Sequence, residues 1–265
     1  MIEDVSISSS YYYSTPIDEQ IRLVADSGFT AFSLGANLNH FDYRDSSSRR
    51  ELKCLADDLG LAVDTVHGKS LDSDASYEGL SVAIEAAEEL DAHSVVVHPV
   101  PFALSGDEAT IRKRIAASID RCRDLFAATS VRIAVENVMP GVATDLVAFV
   151  LSEVNSKNVG FCYDSSHEQV DGPREYSLVR QFADRLYAVH ISDRSREFVD
   201  HQIPGEGFID FGRVCQDLFH TSFAAPLLLE VMMKHSVYRD EKQFLREANR
   251  AASELKQRIN GHGRK

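Results

Sequence analysis

Short apolar runs alternate along this chain with longer stretches in which apolar residues return every three or four positions. Strands and helices leave these two signatures. The first run, VSISSS, is followed by Thr15-Pro16 and Asp18: an N-cap, a first-turn proline and an acid near the positive helix end. A helix then carries Ile17, Ile21 and Val24 on one face and stops at Gly28. TAFSLGA reads as the second strand and SSSRRELKCLADDLG as the second helix. LAVDTVHG, SVVVHP, VRIAVEN, VGFCYD, LYAVHIS and LLLEV read as strands three to eight. Helical runs fall between them at 75–91, 108–128, 144–154, 174–184 and 210–220. A last helix at 240–259 shows Leu245, Ala248, Ala252, Leu255 and Ile259 on one face.

The strand runs are almost continuously apolar, as strands buried on both faces are. Eight of them alternating with eight helices predict a closed parallel sheet, a single (β/α)8 TIM barrel domain over residues 1–265. A doubly wound open sheet would want a glycine-rich phosphate loop after the first strand, where this chain has SSSYYYSTP.

In such a barrel the last polar residue of each strand points into the mouth, where the chemistry resides. Those residues are His67, His98, Glu136, Asp164, His190 and Glu230 on strands three to eight. Neighbouring strands thus bring three carboxylates and one imidazole together: Glu136, Asp164, His190 and Glu230. Carboxylates converging in one mouth repel each other unless a cation neutralises them. This oxygen-rich set with one nitrogen suits one divalent metal ion, Mn2+, Mg2+, Co2+ or Zn2+. His167, three residues after Asp164, falls in the same mouth.

Charge and composition narrow the partners. A formal net charge of −13 and 44% hydrophobic content describe one large core without general attraction to nucleic acid or anionic lipid. The start MIEDVSIS lacks a basic signal-peptide region, and no stretch reaches membrane-spanning length, so the expected compartment is the cytoplasm. Cys54, Cys122, Cys162 and Cys215 form no CxxC pair and read as reduced structural residues. Arg44, Arg49 and Arg50 read as the solvent face of the second helix's start. The segment FVDHQIPGEG, after the seventh strand, combines His201 with Glu206 and turn-forming Gly205 and Gly207.

His67 in TVHG, His98 in VVVHP, Glu136 in VEN, Asp164 and His167 in YDSSH, His190 in HISD, the HQIPGEG loop and Glu230 in LLLEV together resemble the xylose isomerase-like barrel superfamily. The likeness is to its sugar phosphate isomerase/epimerase and endonuclease IV-type group. For the isomerases and epimerases, the resemblance implies one metal held by Glu136, Asp164, His190 and Glu230. It also implies Glu136 and Glu230 as the acid/base pair and His167 on a substrate oxygen. The substrate would be a small-molecule sugar or sugar phosphate, the intermediate an enediolate, and a homo-oligomer is left open. In the endonuclease IV branch three zinc ions also use positions matching His67, His98 and His201, together with an acid two residues before the last. Here that position is Val199, and the acid is Asp200, one residue on.

Glu206, Arg194 and Lys69 are further candidate contacts to substrate, as are Tyr11, Tyr12 and Tyr13 for the pocket wall. Ser33 ends the second strand, where many isomerases of the group carry a glutamate. The alternative activity is a metal-dependent phosphodiesterase of the endonuclease IV type acting on abasic DNA. A third reading is a barrel that binds a small ligand without turning it over.

Overall fold

The computed structural model describes residues 1–72, 74–100, 106–138, 142–154, 156–169, 175–195 and 199–261. Eight strands run parallel: β1 (Val5–Ser8), β2 (Ala31–Leu34), β3 (Ala62–His67), β4 (Ser94–Val97), β5 (Arg132–Glu136), β6 (Val159–Asp164), β7 (Leu186–Ile191) and β8 (Leu227–Leu229). They close in chain order, β1 returning to β8 through Val5 and Leu227, so the expected (β/α)8 barrel is the fold. Between them lie α1 (Ile17–Asp26), α2 (Ser46–Leu59), α3 (Ser76–Glu89), α4 (Glu108–Ala128), α5 (Val142–Glu153), the one-turn α6 (Ser165–Glu168) and α7 (Leu178–Gln181), and α8 (Phe211–Phe219). The terminal α9 (Glu241–Gly261) follows β8. No helix among the described residues is long and apolar enough to cross a membrane.

Strand alternation divides the core in two. Val95, Val97, Ile133, Val135, Phe161 and Val189 join the large cluster between sheet and helices. Their alternates Val96, Ala134, Cys162 and Ala188 form a separate small cluster, packed inside the barrel. Two residues further along the same strands stand His98, Glu136, Asp164 and His190, which therefore project inward above a floor of small side chains. That parity positions the site.

Local chemistry fixes several helix ends. Asp45 and Asp107 cap α2 and α4 by accepting the N–H of Ser48 and Thr110, and α2 stops at Gly60 with φ of 68°. Cys54 is exposed and the other three cysteines are buried thiols.

Three local expectations need correction. Thr15 does not cap α1: its hydroxyl donates to Glu241 Oε2 at 2.9 Å, beside Tyr11 donating to Oε1 at 2.7 Å, so the loop after β1 is tied to the start of α9. The helix expected at 174–184 shrinks to α7 and a 3-10 turn at Ala183–Arg185, residue 174 lying outside the described residues. Glu168 causes the late start by accepting the N–H groups of Ser177 and Leu178 at 2.9 and 3.0 Å. Arg49 does not face solvent either. Its guanidinium is buried against Glu85 and Glu89 of α3 and donates to the Tyr43 carbonyl.

Candidate metal centre and active site

Glu136 lies at the centre of the mouth, fully buried. His67 Nε2 and His98 Nε2 approach its Oε2 at 3.3 and 3.2 Å, His190 Nδ1 approaches the same oxygen at 3.4 Å, and His167 Nδ1 lies 3.3 Å from Oε1. Across His190 stands Glu230, with Oε2 2.8 Å from Nδ1. One potential donor atom each from Glu136, Asp164, His190 and Glu230 lies within 4.8 Å of the others, the set expected for a divalent ion. A second such group joins His67 and His98 to Glu136, and a third places Cys162, from the barrel floor, beside Glu136 and His190.

Asp164 divides its two oxygens. Oδ1 accepts the His167 N–H at 2.7 Å and the Ser166 hydroxyl at 3.0 Å, capping α6. Oδ2 is buried without a hydrogen-bond partner among the described residues. Neither ring nitrogen of His190 makes an aligned hydrogen bond there, close as Nδ1 is to Glu230. A buried carboxylate oxygen left in this state costs more than a kcal/mol or so unless something answers it. Hard oxygen donors with one imidazole fit a divalent cation.

The protonation pattern agrees. Burial alone would raise the Glu136 carboxyl, but the His190 and His98 rings outweigh it and hold it well below the usual range. Burial likewise opposes ionisation of Glu230, and His190 brings it down to about 2. Burial would lower His190, yet Cys162, Glu230 and Glu136 push it well above an ordinary imidazole. His167 rises to about 9, since Asp164 and Glu136 outweigh its burial. Protons on these two rings occupy the electrostatic role that a cation would take.

The backbone around these groups is tightly set. Asn137, directly after Glu136, donates through Nδ2 to the Asp164 carbonyl and accepts the Asp164 N–H, locking the ends of β5 and β6 together. Its carbonyl lies 3.0 Å from His167 Nδ1. His201 has φ of 52°, a conformation uncommon outside glycine, held by Nδ1 at 2.9 Å from the Glu230 carbonyl and by its own carbonyl accepting Met232 N–H at 2.6 Å. Above the cluster opens a cavity of about 370 Å3 whose walls include Glu136, Glu230, His167, His201, Tyr13 and Lys69.

Two candidates fall elsewhere. Arg194 is buried, and its Nε donates to the Ser166 carbonyl and its Nη2 to Asp200 Oδ2, at 2.9 Å each, so it ties together the segments carrying His167 and His201 and does not line the cavity. Glu206 accepts from the Ser236 hydroxyl at 2.7 Å and from Ile203 N–H at 3.3 Å, stapling its loop to the segment after β8. Of the three tyrosines, Tyr13 lines the cavity, Tyr12 is exposed and Tyr11 is bound to Glu241. Ser33 is buried, with its hydroxyl donating to the Thr65 carbonyl at 3.1 Å. Sequence reasoning missed Asn137 and Asp193. The signal for Asn137 was its position after Glu136. Asp193 accepts the N–H groups of Gly205, Gly207 and Ile209 at 2.8 to 3.0 Å, a pairing that only the folded loop reveals.

Residues 21–248 match the family model described as xylose isomerase-like TIM barrel. Among curated proteins, the uncharacterized protein y4fM of Sinorhizobium fredii is 29% identical over 192 residues, 70% of this chain and 61% of that protein. ML2432 of Mycobacterium leprae is 30% identical over 176 residues, 57% of this chain and 60% of that protein. The chain thus spans about three fifths of the length of these relatives. Among solved structures, D-psicose 3-epimerase with D-tagatose from Clostridium cellulolyticum H10 superposes with a TM-score of 0.75 at 18% identity, covering 97% of this chain and 99% of that one. The IolI protein with a bound zinc atom gives 0.74 at 16% identity, covering 97% and 98%. An AP endonuclease, family 2, from Brucella melitensis gives 0.70 at 15%, covering 92% and 97%. At such identities the likeness is one of fold.

Proposed function

The chain belongs to the xylose isomerase-like TIM barrel family, and from that membership and the geometry of the mouth we propose that it is a divalent-metal-dependent sugar or sugar-phosphate isomerase or epimerase working through an enediolate. Residues 1–265 act as one barrel domain. The observation that carries this reading is the pair Glu136 and Glu230, on either side of His190, both in the cavity wall and both belonging to the four-residue donor set.

The proton beside a ketone is weakly acidic, and removing it needs a positioned base and a place for the developing negative charge. Glu136, Asp164, His190 and Glu230 would hold the cation, Mn2+, Mg2+, Co2+ or Zn2+, which when bound supplies Lewis acidity. Glu136 and Glu230 are ionised at neutral pH and reach the cavity from different strands. One takes the proton and the other returns a proton, on the neighbouring carbon or on the opposite face. His167, its ring oriented by the Asn137 carbonyl and the Asp164-capped turn, donates a hydrogen bond to a substrate oxygen. The neighbouring epimerase fold and the zinc-bearing IolI protein support this reading.

Ketoses incubated with metal-loaded protein in deuterated water should take up deuterium at the carbon next to the carbonyl. Glu136→Gln and Glu230→Gln should each slow that exchange by about a hundredfold or more. Absence of exchange across a panel of ketoses, with cutting of an abasic duplex, would replace this reading by the endonuclease IV-type one. The His67, His98 and Glu136 group keeps that second reading in view. Against it stands Asp200, whose carboxylate is bound to Arg194, while the position two residues before His201 is an aliphatic Val199.

A further inference from the structure

Lys69 is the only lysine or arginine among the described residues lining the cavity, and its ammonium is engaged by no carboxylate among them. Its backbone is not a loose rim. Gly68 N–H donates to the Val96 carbonyl at 2.8 Å and Leu71 N–H to the His98 carbonyl at 2.9 Å, so the segment after β3 continues to follow β4 on both sides of Lys69. Tyr43 adds a hydroxyl donated to the His67 carbonyl at 3.1 Å.

The stem of Lys69 has a seat. It lies against Gly79 in the first turn of α3, where a Cβ would come within 2.9 Å of Lys69 Cδ and 3.0 Å of its Cβ. Glycine within a helix is destabilising relative to alanine. Its presence here gives the lysine stem room to lie flat at the rim. Lys69 follows His67 by two positions, roughly 7 Å of extended chain, and both line the cavity whose walls also hold Glu136 and Glu230.

We infer that the mouth holds a subsite for an anionic group, built on Lys69, and that the substrate is a keto sugar ending in a phosphate monoester or a carboxylate. The inference rests on the sugar-isomerase reading above for the part of the molecule that lies over the glutamates. Lysine is a compact, strongly hydrated point charge on a flexible stem, suited to one terminal anion.

Equilibrium binding of D-fructose, D-fructose 6-phosphate and D-fructuronate to the metal-loaded protein tests it. One or both anionic probes should bind about five- to tenfold more tightly than fructose, the worth of one charge-assisted contact at a half-open site. Which of the two gains identifies the group. Lys69→Met should cancel that advantage while leaving metal content unchanged. Gly79→Ala should also reduce it, because the new methyl would come within 2.9 Å of Lys69 Cδ and 3.0 Å of its Cβ and displace the stem.

No advantage for either anion in the wild type, or an advantage that survives Lys69→Met, would overturn the subsite. Deuterium exchange, measured separately, reports on the isomerase reading. Exchange without anion preference sinks the subsite alone, and anion preference without exchange leaves the subsite standing and sinks the chemistry.

Discussion

At the scale of single residues, two aspartates carry opposite lessons. Asp164 uses one oxygen as a helix cap and leaves the other buried without a hydrogen-bond partner among the described residues, so the cap and the proposed metal ligand separate on substitution. Asp164→Asn can still cap through its amide oxygen, and should cost only about 1 kcal/mol of stability while reducing divalent metal affinity by tenfold or more. Full metal content in that variant would remove Asp164 from the donor set. Asp64 lies deeper in the barrel, where burial lifts its carboxyl to about 7, the nearby Ser6 hydroxyl and His190 offsetting only part of that rise. The native state then holds a proton that the unfolded chain releases near its ordinary value of 3.8. Stability from this group is complete below about pH 4 and drains away as pH rises toward 7. Asp64→Asn should therefore match the wild type near pH 4 and exceed it at pH 8, by up to about 4 kcal/mol on a shift of this size. Denaturant unfolding at the two pH values checks this, and a pH-independent difference would contradict it.

At the scale of elements, the sequence was most legible where periodicity was strong. All eight strands follow from short, nearly continuous apolar runs, and most of the outer helices from apolar residues at a period of 3.6, since strands covered on both faces and helices packed on one require that arrangement. It was least legible where a distant side chain decided a local outcome, as when Glu241 took the Thr15 hydroxyl and Glu168 took the N–H groups of Ser177 and Leu178. The GEG loop is the clearest case. Its glycines read as turn-formers, and Gly205 does have φ of 102°, but what organises the loop is Asp193, sixteen residues before Ile209. Gly207 packs so closely that a Cβ would lie 2.2 Å from the Arg194 carbonyl. Asp193→Ala should destabilise by about 3 kcal/mol, because the four backbone donors of Arg194, Gly205, Gly207 and Ile209 lose a charged acceptor. Gly207→Ala should cost a similar amount through that clash. In both, the ring of His201 should lose its fixed place beside the Glu230 carbonyl, read as a changed ring shift in NMR while the metal-dependent shifts of His190 remain. An unmoved His201 would show that the loop does not hold it.

At the scale of the whole molecule, the mouth is an acidic centre whose charge must be balanced by protons or by a cation. Its existence could be read from the strand ends, because alternation above a small-residue floor leaves His98, Glu136, Asp164 and His190 only one direction in which to point. What could not be read is that Glu136 belongs to every donor group among the described residues, or that Arg194 and Glu206 turn away to brace loops. Those outcomes depend on distances between strands that pair far apart in sequence. Without metal, the raised His167 contributes stability that is complete below its ordinary value of 6.5 and is lost as pH climbs through about 9. A shift of that size is worth about 3 kcal/mol in all. His190, raised for the same reason, shares the trend. Metal binding runs the other way, since its imidazole ligand must shed a proton and coordination therefore strengthens with pH. The stabilisation conferred by a divalent ion should consequently be small at pH 6 and large at pH 9, with a difference in melting temperature of about 5 °C or more between the two for a chain of this size. Thermal unfolding with excess Mn2+ and with a chelator, at both pH values, measures it directly. Equal shifts at pH 6 and pH 9 would mean that protons and cations do not compete for this mouth, and the donor set centred on Glu136 would have to be abandoned as a metal site.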